Sequence, residues 1–310
     1  MSISVPTTIF TGFLGSGKST IILPLIEHLQ ATDHQVIYIK NEIGEVDVDA
    51  KLMAGENIIS RELLNGCICC TLVGPFIAAA EEIVQTYHPD RIIIEASGAA
   101  DPSAIALMVS SHPDLYRDGV ISVVDVINFQ GYTDLSLTAQ RQASFTDLIV
   151  FNKVEQVDLD QKRAVVGYVR ELNNHSPIIE APAGKVDPEA IFGLSTTKLD
   201  VLLAANHDKS DHAHHLADEQ IETFTCSLQQ PISEEKFLEM MANLPKQVFR
   251  VKGFVQLTNE QMRIVNKVGS RTELDQPPPN LGFRPSQLVF IGFKIKSWQE
   301  EICQQLQQTT

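Results

Sequence analysis

Positive charge is scarce in this chain. Lys and Arg number 24 against 39 Asp and Glu, a formal net charge of −15 over 310 residues. So acidic a surface repels phosphate backbones and anionic lipid headgroups, so neither nucleic acid nor a membrane surface is an expected partner. A small phosphate ligand is still allowed, because a local nest of backbone N–H groups outweighs the global field. Long apolar runs are also missing. None approaches ~18 residues, so no segment is expected to span a bilayer. No basic start followed by an apolar stretch precedes the first strand-like segment, so no signal peptide is expected. Cysteine is sparse: five in all, with three crowded into Cys67–Cys70. An odd, clustered set is a poor disulfide framework and suits metal ligation in a reducing compartment. The expected location is the cytoplasm. Cys226 and Cys303, each single in its segment, read as core residues.

What is present suits two domains. The length exceeds a comfortable single small domain. Apolar residues make up 44% and charged residues 20%, ordinary for a globular protein. A chain this long needs no staple to fold, so a metal site would be functional rather than structural. Strand patterns fall at Thr7–Thr11, Gln35–Lys40, Arg91–Glu95, Gly119–Val126 and Leu148–Phe151. Helical patterns fall at Lys18–Gln30, Gly74–Tyr87, Pro102–Ser110 and Gln161–Asn173. Apolar strands alternating with helices predict an α/β fold, a P-loop NTPase sheet flanked by helices. That domain is drawn over residues 1–205. Residues 206–218 (NHDKSDHAHHLAD) are polar and aperiodic and read as a linker. Residues 219–310 read as a smaller C-terminal α+β domain, with strands at Ile221–Ser227, Gln247–Leu257 and Leu288–Lys294. Its helices are expected at Glu234–Met241 and Trp298–Gln308, with Pro277–Pro279 as a stiff loop.

Gly12, Phe13, Leu14, Gly15, Ser16, Gly17, Lys18 and Ser19 match G-x-x-x-x-G-K-[ST] in full, between a strand and a helix. By composition alone the pattern arises in roughly one in a hundred chains of this length, and the flanking elements make chance rarer still. The glycines let the backbone curl so that N–H groups face phosphate oxygens. Lys18 would reach the β- and γ-phosphates and Ser19 would hold Mg²⁺. The helix N-terminus, with Thr20 next in line, adds partial positive charge.

Three further loops follow strands. Glu95, at the C-terminal end of RIIIE, either holds Mg²⁺ through water or ends the strand as a solvated carboxylate, and Gly98 offers an N–H to a γ-phosphate. Asn41–Gly44, with Asp47 and Asp49 beyond, is either a switch segment or a polar surface loop. Asn152, Lys153 and Glu155 are near the Asn-Lys-x-Asp guanine reader. Glu155 supplies the carboxylate that guanine's N1–H and amine need, with one more methylene; adenine lacks those donors. Asp125 ends a strand and reads as a cap.

Cys67, Cys69 and Cys70, flanked by Gly66, are soft ligands suited to Zn²⁺, Co²⁺ or Cu⁺. A fourth ligand, Glu42, a His or water, would leave the site labile enough for delivery. Structural or redox thiols remain the alternative. His207, His212, His214 and His215 are either a metal tract or a solvated segment.

Together GFLGSGKST, NEIGEVDVD, GCICC, EASGAADP and NKVE resemble the CobW-like metallochaperone GTPases, relatives of the GTPases that mature nickel hydrogenase and urease. The resemblance covers nearly the whole chain. It implies a GTPase with a mixed sheet, GTP and Mg²⁺ as cofactors, slow hydrolysis, and transition metal on Cys67, Cys69, Cys70 and Glu42. Zinc is expected first and cobalt next, passed to a client metalloprotein whose identity the sequence does not give. It favours Asp49 over Asp47, so Ser19, Asp49 and Glu95 are the expected Mg²⁺ residues and Lys18, Glu95 and Asp49 the catalytic ones. A homodimer stays open. Two other classes stay open as well: a nucleotide-binding metal store without useful turnover, and an ATP-dependent kinase-like P-loop enzyme.

Overall fold

A computed structural model describes residues 4–40, 59–62, 73–98, 102–129, 145–193, 221–259, 261–277 and 285–308. The Asn41–Asp49 segment, Cys67–Cys70 and the 206–218 stretch lie outside them. The chain divides into two compact units, Ser2–Val186 and Asp187–Thr310.

The first unit is built on strands β1 (Val5–Thr11), β2 (Val36–Lys40), β3 (Ile59–Glu62), β4 (Arg91–Glu95), β5 (Leu115–Asp125), β6 (Leu148–Asn152) and β7 (Ile178–Ala181). They form one sheet in the order β3-β2-β4-β1-β5-β6-β7. All its described pairings are parallel. The mixed sheet implied by the family resemblance is therefore replaced by a parallel one, as the unbroken apolar strands required. The helices are α1 (Lys18–Ala31), α2 (Val73–Tyr87), α3 (Pro102–Ser111) and α4 (Leu159–Leu172). Strand alternation sends Ile9, Ile37, Ile39, Ile92 and Ile94 to one face. There they meet Ala80, Ile83 and Val84 of α2 and Ile105, Met108 and Val109 of α3. The same alternation sends Phe10, Tyr38, Ile93 and Glu95 to the other face, all of them buried. Helix α4 starts cleanly because Asp158 accepts from the Gln161 N–H at its N-cap.

At the sheet's N-terminal end, Arg91 bridges Asp118 at 2.6 Å and donates to the Thr8 hydroxyl at 3.0 Å. Asp118 has no exposed surface. A buried pair of this kind adds little net stability, because desolvation of the two charges offsets their attraction.

The second unit holds β8 (Ile221–Ser227), β9 (Val248–Gln256), β10 (Met262–Val268), β11 (Arg271–Asp275) and β12 (Gln287–Phe293) in the antiparallel order β11-β10-β9-β12-β8. Helices α6 (Glu234–Ala242) and α7 (Gln299–Gln308) cover one face, where Phe237, Met241, Ile302 and Leu306 pack on Val251, Val265, Leu288 and Phe290. The short helix α5 (Pro188–Phe192) joins this unit. Arg250 donates to the Ile191 carbonyl at 2.5 Å and Lys252 to the Phe192 carbonyl at 2.7 Å. Residues 187–193, drawn by sequence into the nucleotide domain, thus belong structurally to the second unit. Cys226 and Cys303, expected to be single core thiols, are instead joined as a disulfide with Cα atoms 5.4 Å apart. No described helix is long and apolar enough to cross a membrane.

Candidate functional site

The phosphate loop runs from the end of β1 to the start of α1. Gly17 precedes the helix at φ 91°, a left-handed conformation. A Cβ there would lie 2.1 Å from the Asn152 Nδ2, so the position excludes any larger residue. Lys18 is 6% exposed, and its ammonium lies on the carbonyls of Gly12 at 2.9 Å and Phe13 at 3.2 Å. The loop is thus folded around its own cation, at a helix N-terminus suited to anions. Gly98, in the turn after β4, lies against the loop so closely that a Cβ would come 2.5 Å from the Leu14 nitrogen. The structure therefore brings Gly98 to the phosphate loop. Leu14 itself is 79% exposed.

One residue past Lys18, the Ser19 hydroxyl donates to both oxygens of Glu95, at 3.1 and 3.0 Å. Glu95 is delivered to this point by β4, whose neighbours β1 and β2 hold it in register opposite Phe10 and Lys40. Glu95 is 6% exposed, so the solvated strand-end alternative is overturned. A hydroxyl beside a carboxylate is a hard oxygen set, which fits Mg²⁺ and suits zinc or copper poorly. A third group also binds Glu95: the buried Tyr38 hydroxyl donates to Oε2. Sequence reading took Tyr38 only as strand filler. No motif marks it, because its partner lies on the adjacent strand.

The third part is built after β6. Asn152 donates to the Ser16 carbonyl at 2.9 Å, and its Oδ1 accepts from the Lys153 N–H. Lys153, itself left-handed at φ 62°, donates to the Gly15 carbonyl at 2.9 Å and pairs with Asp125 at 2.6 Å. Asp125 does cap the turn at Ile127 and Asn128, and it also holds this lysine. Burial pushes its carboxyl up, but Lys153, Asn128 and the Ile127 N–H outweigh that and leave it below the usual range. Glu155 accepts from the Ala183 N–H at 2.9 Å, which, with Gln156, also keeps it below its ordinary value. Ala183, at φ 51°, is the neighbour of Glu155, and no sequence motif marks it.

The structure thus brings Gly12–Thr20, Glu95, Gly98, Asn152 and Lys153 together at the C-terminal ends of β1, β4 and β6, the place where parallel sheets bind ligands, while the partners of Glu155 are Ala183 and Gln156. Among the described residues no group of three or more His, Cys, Asp or Glu is arranged to hold a metal. The proposed thiol ligands and Glu42, like Asp49, lie outside those residues.

A P-loop cradle with a hydroxyl–carboxylate pair and an Asn-Lys anchor defines a nucleotide-binding protein of the P-loop class. Residues 6–180 match the CobW/HypB/UreG nucleotide-binding domain, and residues 221–310 match the cobalamin synthesis protein CobW C-terminal domain. The chain belongs to the CobW/HypB/UreG family. Among its relatives are the zinc chaperone CobW of Sinorhizobium sp, 29% identical over 87% of this chain and 86% of that one, and the zinc chaperone YjiA of Escherichia coli K12, 27% identical over 96% of each. The crystal structure of Zn(II)-bound YjiA GTPase from E. coli aligns over 99% of both chains, at 23% identity and a TM-score of 0.46.

Proposed function

We propose that this protein is a GTP-hydrolysing metallochaperone. On this reading it binds zinc, or cobalt next, as cargo through Cys67, Cys69, Cys70 and Glu42 and hands it to a client metalloprotein. The observation that carries the reading is the Ser19–Glu95 pair beside Lys18, in a chain of this family. Its support is topological as well as chemical. Glu95, Lys40 and Glu62 sit in one row across β4, β2 and β3. Asn41 and Glu42 directly follow Lys40, and Cys67 comes five residues after Glu62. The two proposed cargo-binding segments therefore leave neighbouring strands at the edge where Glu95 sits.

In this mechanism backbone N–H groups of Gly12–Ser19 and the Lys18 ammonium take the phosphates, and Lys18 exchanges the Gly12 and Phe13 carbonyls for phosphate oxygens. Ser19 and Glu95 would hold Mg²⁺, with Asp49 as the proposed further ligand, and the ion would supply charge neutralisation at the phosphates. Gly98 donates its N–H near the γ-phosphate. Asn152 and Lys153 anchor the base end to the loop at Ser16 and Gly15, and Glu155 leaves Ala183 to accept from guanine. Hydrolysis removes the γ-phosphate contacts, frees residues 41–49 and loosens the thiols.

The test is metal affinity by competition with a chromogenic chelator, in Mg²⁺ with a GTP analogue or with GDP. Tightening by the analogue of about tenfold or more, a typical coupling size, is expected. It should be lost in Cys69→Ala, and in Lys18→Ala the nucleotide should cease to matter. Equal affinity in the two nucleotide states of the native protein overturns the coupling. A metal store would bind cargo without turnover, and a kinase-like enzyme would show no preference for GTP over ATP.

A further inference from the structure

We infer that Tyr38 is a positioning residue for magnesium: its hydroxyl fixes the Glu95 carboxylate so that Ser19 and Glu95 present their oxygens to the ion together. The inference rests on the Mg²⁺ reading of that pair.

Tyr38 lies on β2 opposite Ile93 of β4, one diagonal step from Glu95. Tyr38 and Glu95 share this face of the sheet, and the long tyrosine side chain spans the step between them. Tyr38 has no exposed surface. A buried tyrosine hydroxyl needs a partner, and on this face Glu95 Oε2 receives it.

The consequence is geometric. The last torsion of a glutamate is broad and roughly two-fold, so backbone register alone does not fix the plane of its carboxylate. Ser19 donates to both Glu95 oxygens almost equally, at 3.1 and 3.0 Å, and so does not select one. Tyr38 does select one. Ser19 would also have to turn its oxygen lone pair to a bound ion, whereas the Tyr38 bond to Oε2 requires no such change. Mg²⁺ demands near-ideal octahedral geometry, so a ligand carboxylate free to rotate costs affinity. Outer-shell partners of metal ligands typically contribute ten- to a hundredfold in metal affinity. A tyrosine that is merely core filling would contribute to stability and nothing to the ion.

Tyr38→Phe keeps the ring and removes the donor. The experiment is release of a fluorescent guanosine diphosphate analogue from the full chain, followed against free Mg²⁺ in metal-buffered solution. The native protein should release the nucleotide faster as Mg²⁺ falls, with a definite midpoint. Tyr38→Phe should move that midpoint to about tenfold higher Mg²⁺, with unchanged release in excess chelator and only the small fall in urea midpoint that one lost hydrogen bond brings. Tyr38→Leu, which removes the ring as well, should show the same Mg²⁺ shift together with lost stability. A native protein that responds to Mg²⁺ beside a Tyr38→Phe protein with the same midpoint overturns the role of Tyr38 alone. A native protein whose release ignores Mg²⁺ overturns the reading of Ser19 and Glu95, and the role of Tyr38 with it.

Discussion

Asp125 shows how one side chain serves two elements. It closes the turn after β5 through Ile127 and Asn128, and its second oxygen holds Lys153 at 2.6 Å. Lys153 in turn holds the Gly15 carbonyl, so the turns after β5 and β6 and the phosphate loop share one fastener. Asp125→Asn keeps the size and removes the charge. Because the Lys153 side chain is 28% exposed, the pair is partly screened by water. The expected loss of guanine-nucleotide affinity is therefore about three- to tenfold, measured by fluorescence titration, with base preference retained. An unchanged affinity would leave Asp125 as a cap alone. At this scale the motif residues were legible because their spacing is local: eight consecutive residues define the phosphate loop, and four define the base anchor. The role of Tyr38 was not, nor was the second role of Asp125, as the partner of Lys153. Their partners lie 57 and 28 residues away, and only strand register brings them together. Cys226 and Cys303 went unpaired in the sequence for the same reason, being 77 residues apart.

At the scale of elements, legibility followed burial. Strands β1, β4 and β6 are buried along nearly their whole length, and the apolar runs Ile92–Ile94 and Leu148–Phe151 are visible without any partner, whereas β1 mixes Thr7, Thr8 and Thr11 among its apolar residues. Strand β11 (RTELD) is half-buried at every position and shows no alternation. Strands β3 and β7 are four residues each, too short for a period to emerge. Strand β10 misleads in another way: Lys267, 4% exposed, occupies a core-facing position and donates to the Gly269 carbonyl. Burial pushes its ammonium down from 10.5 to about 8. The unfolded chain therefore binds more protons between about pH 8 and pH 10.5, and stability should rise with pH through that window. Below pH 8 the cost is present in full. At 1.36 kcal/mol per pH unit it is at most about 3 kcal/mol, from which the lost hydrogen bond subtracts about 1. Lys267→Met should thus stabilise by about 2 kcal/mol at pH 7 and show no rise towards pH 10, as read by urea unfolding at both values. A native protein flat across that window would place the ammonium in water.

At the scale of the molecule, the clusters of buried side chains respect the division of the chain. Those of the first unit end at Val169, with Ile178 packed against them, and that of the second begins at Phe224. Among the described residues each unit thus has its own core, and the boundary of contacts falls at Val186, inside the 1–205 range drawn for the first domain. The phosphate loop, Glu95 and Asn152 all belong to the first unit and Lys267 to the second, so the two can be perturbed separately. A ligand that binds only the folded state at a hundred times its Kd stabilises by about 2.7 kcal/mol. For a unit of this size that corresponds to roughly 5–10 °C in melting temperature. Calorimetry should therefore resolve two transitions. GDP with Mg²⁺ should raise one of them by that amount and leave the other in place, while Lys267→Met should raise the second alone. A single transition moved by both perturbations would mean that the two cores unfold as one cooperative body, and nucleotide binding in the first unit would then stabilise the second directly.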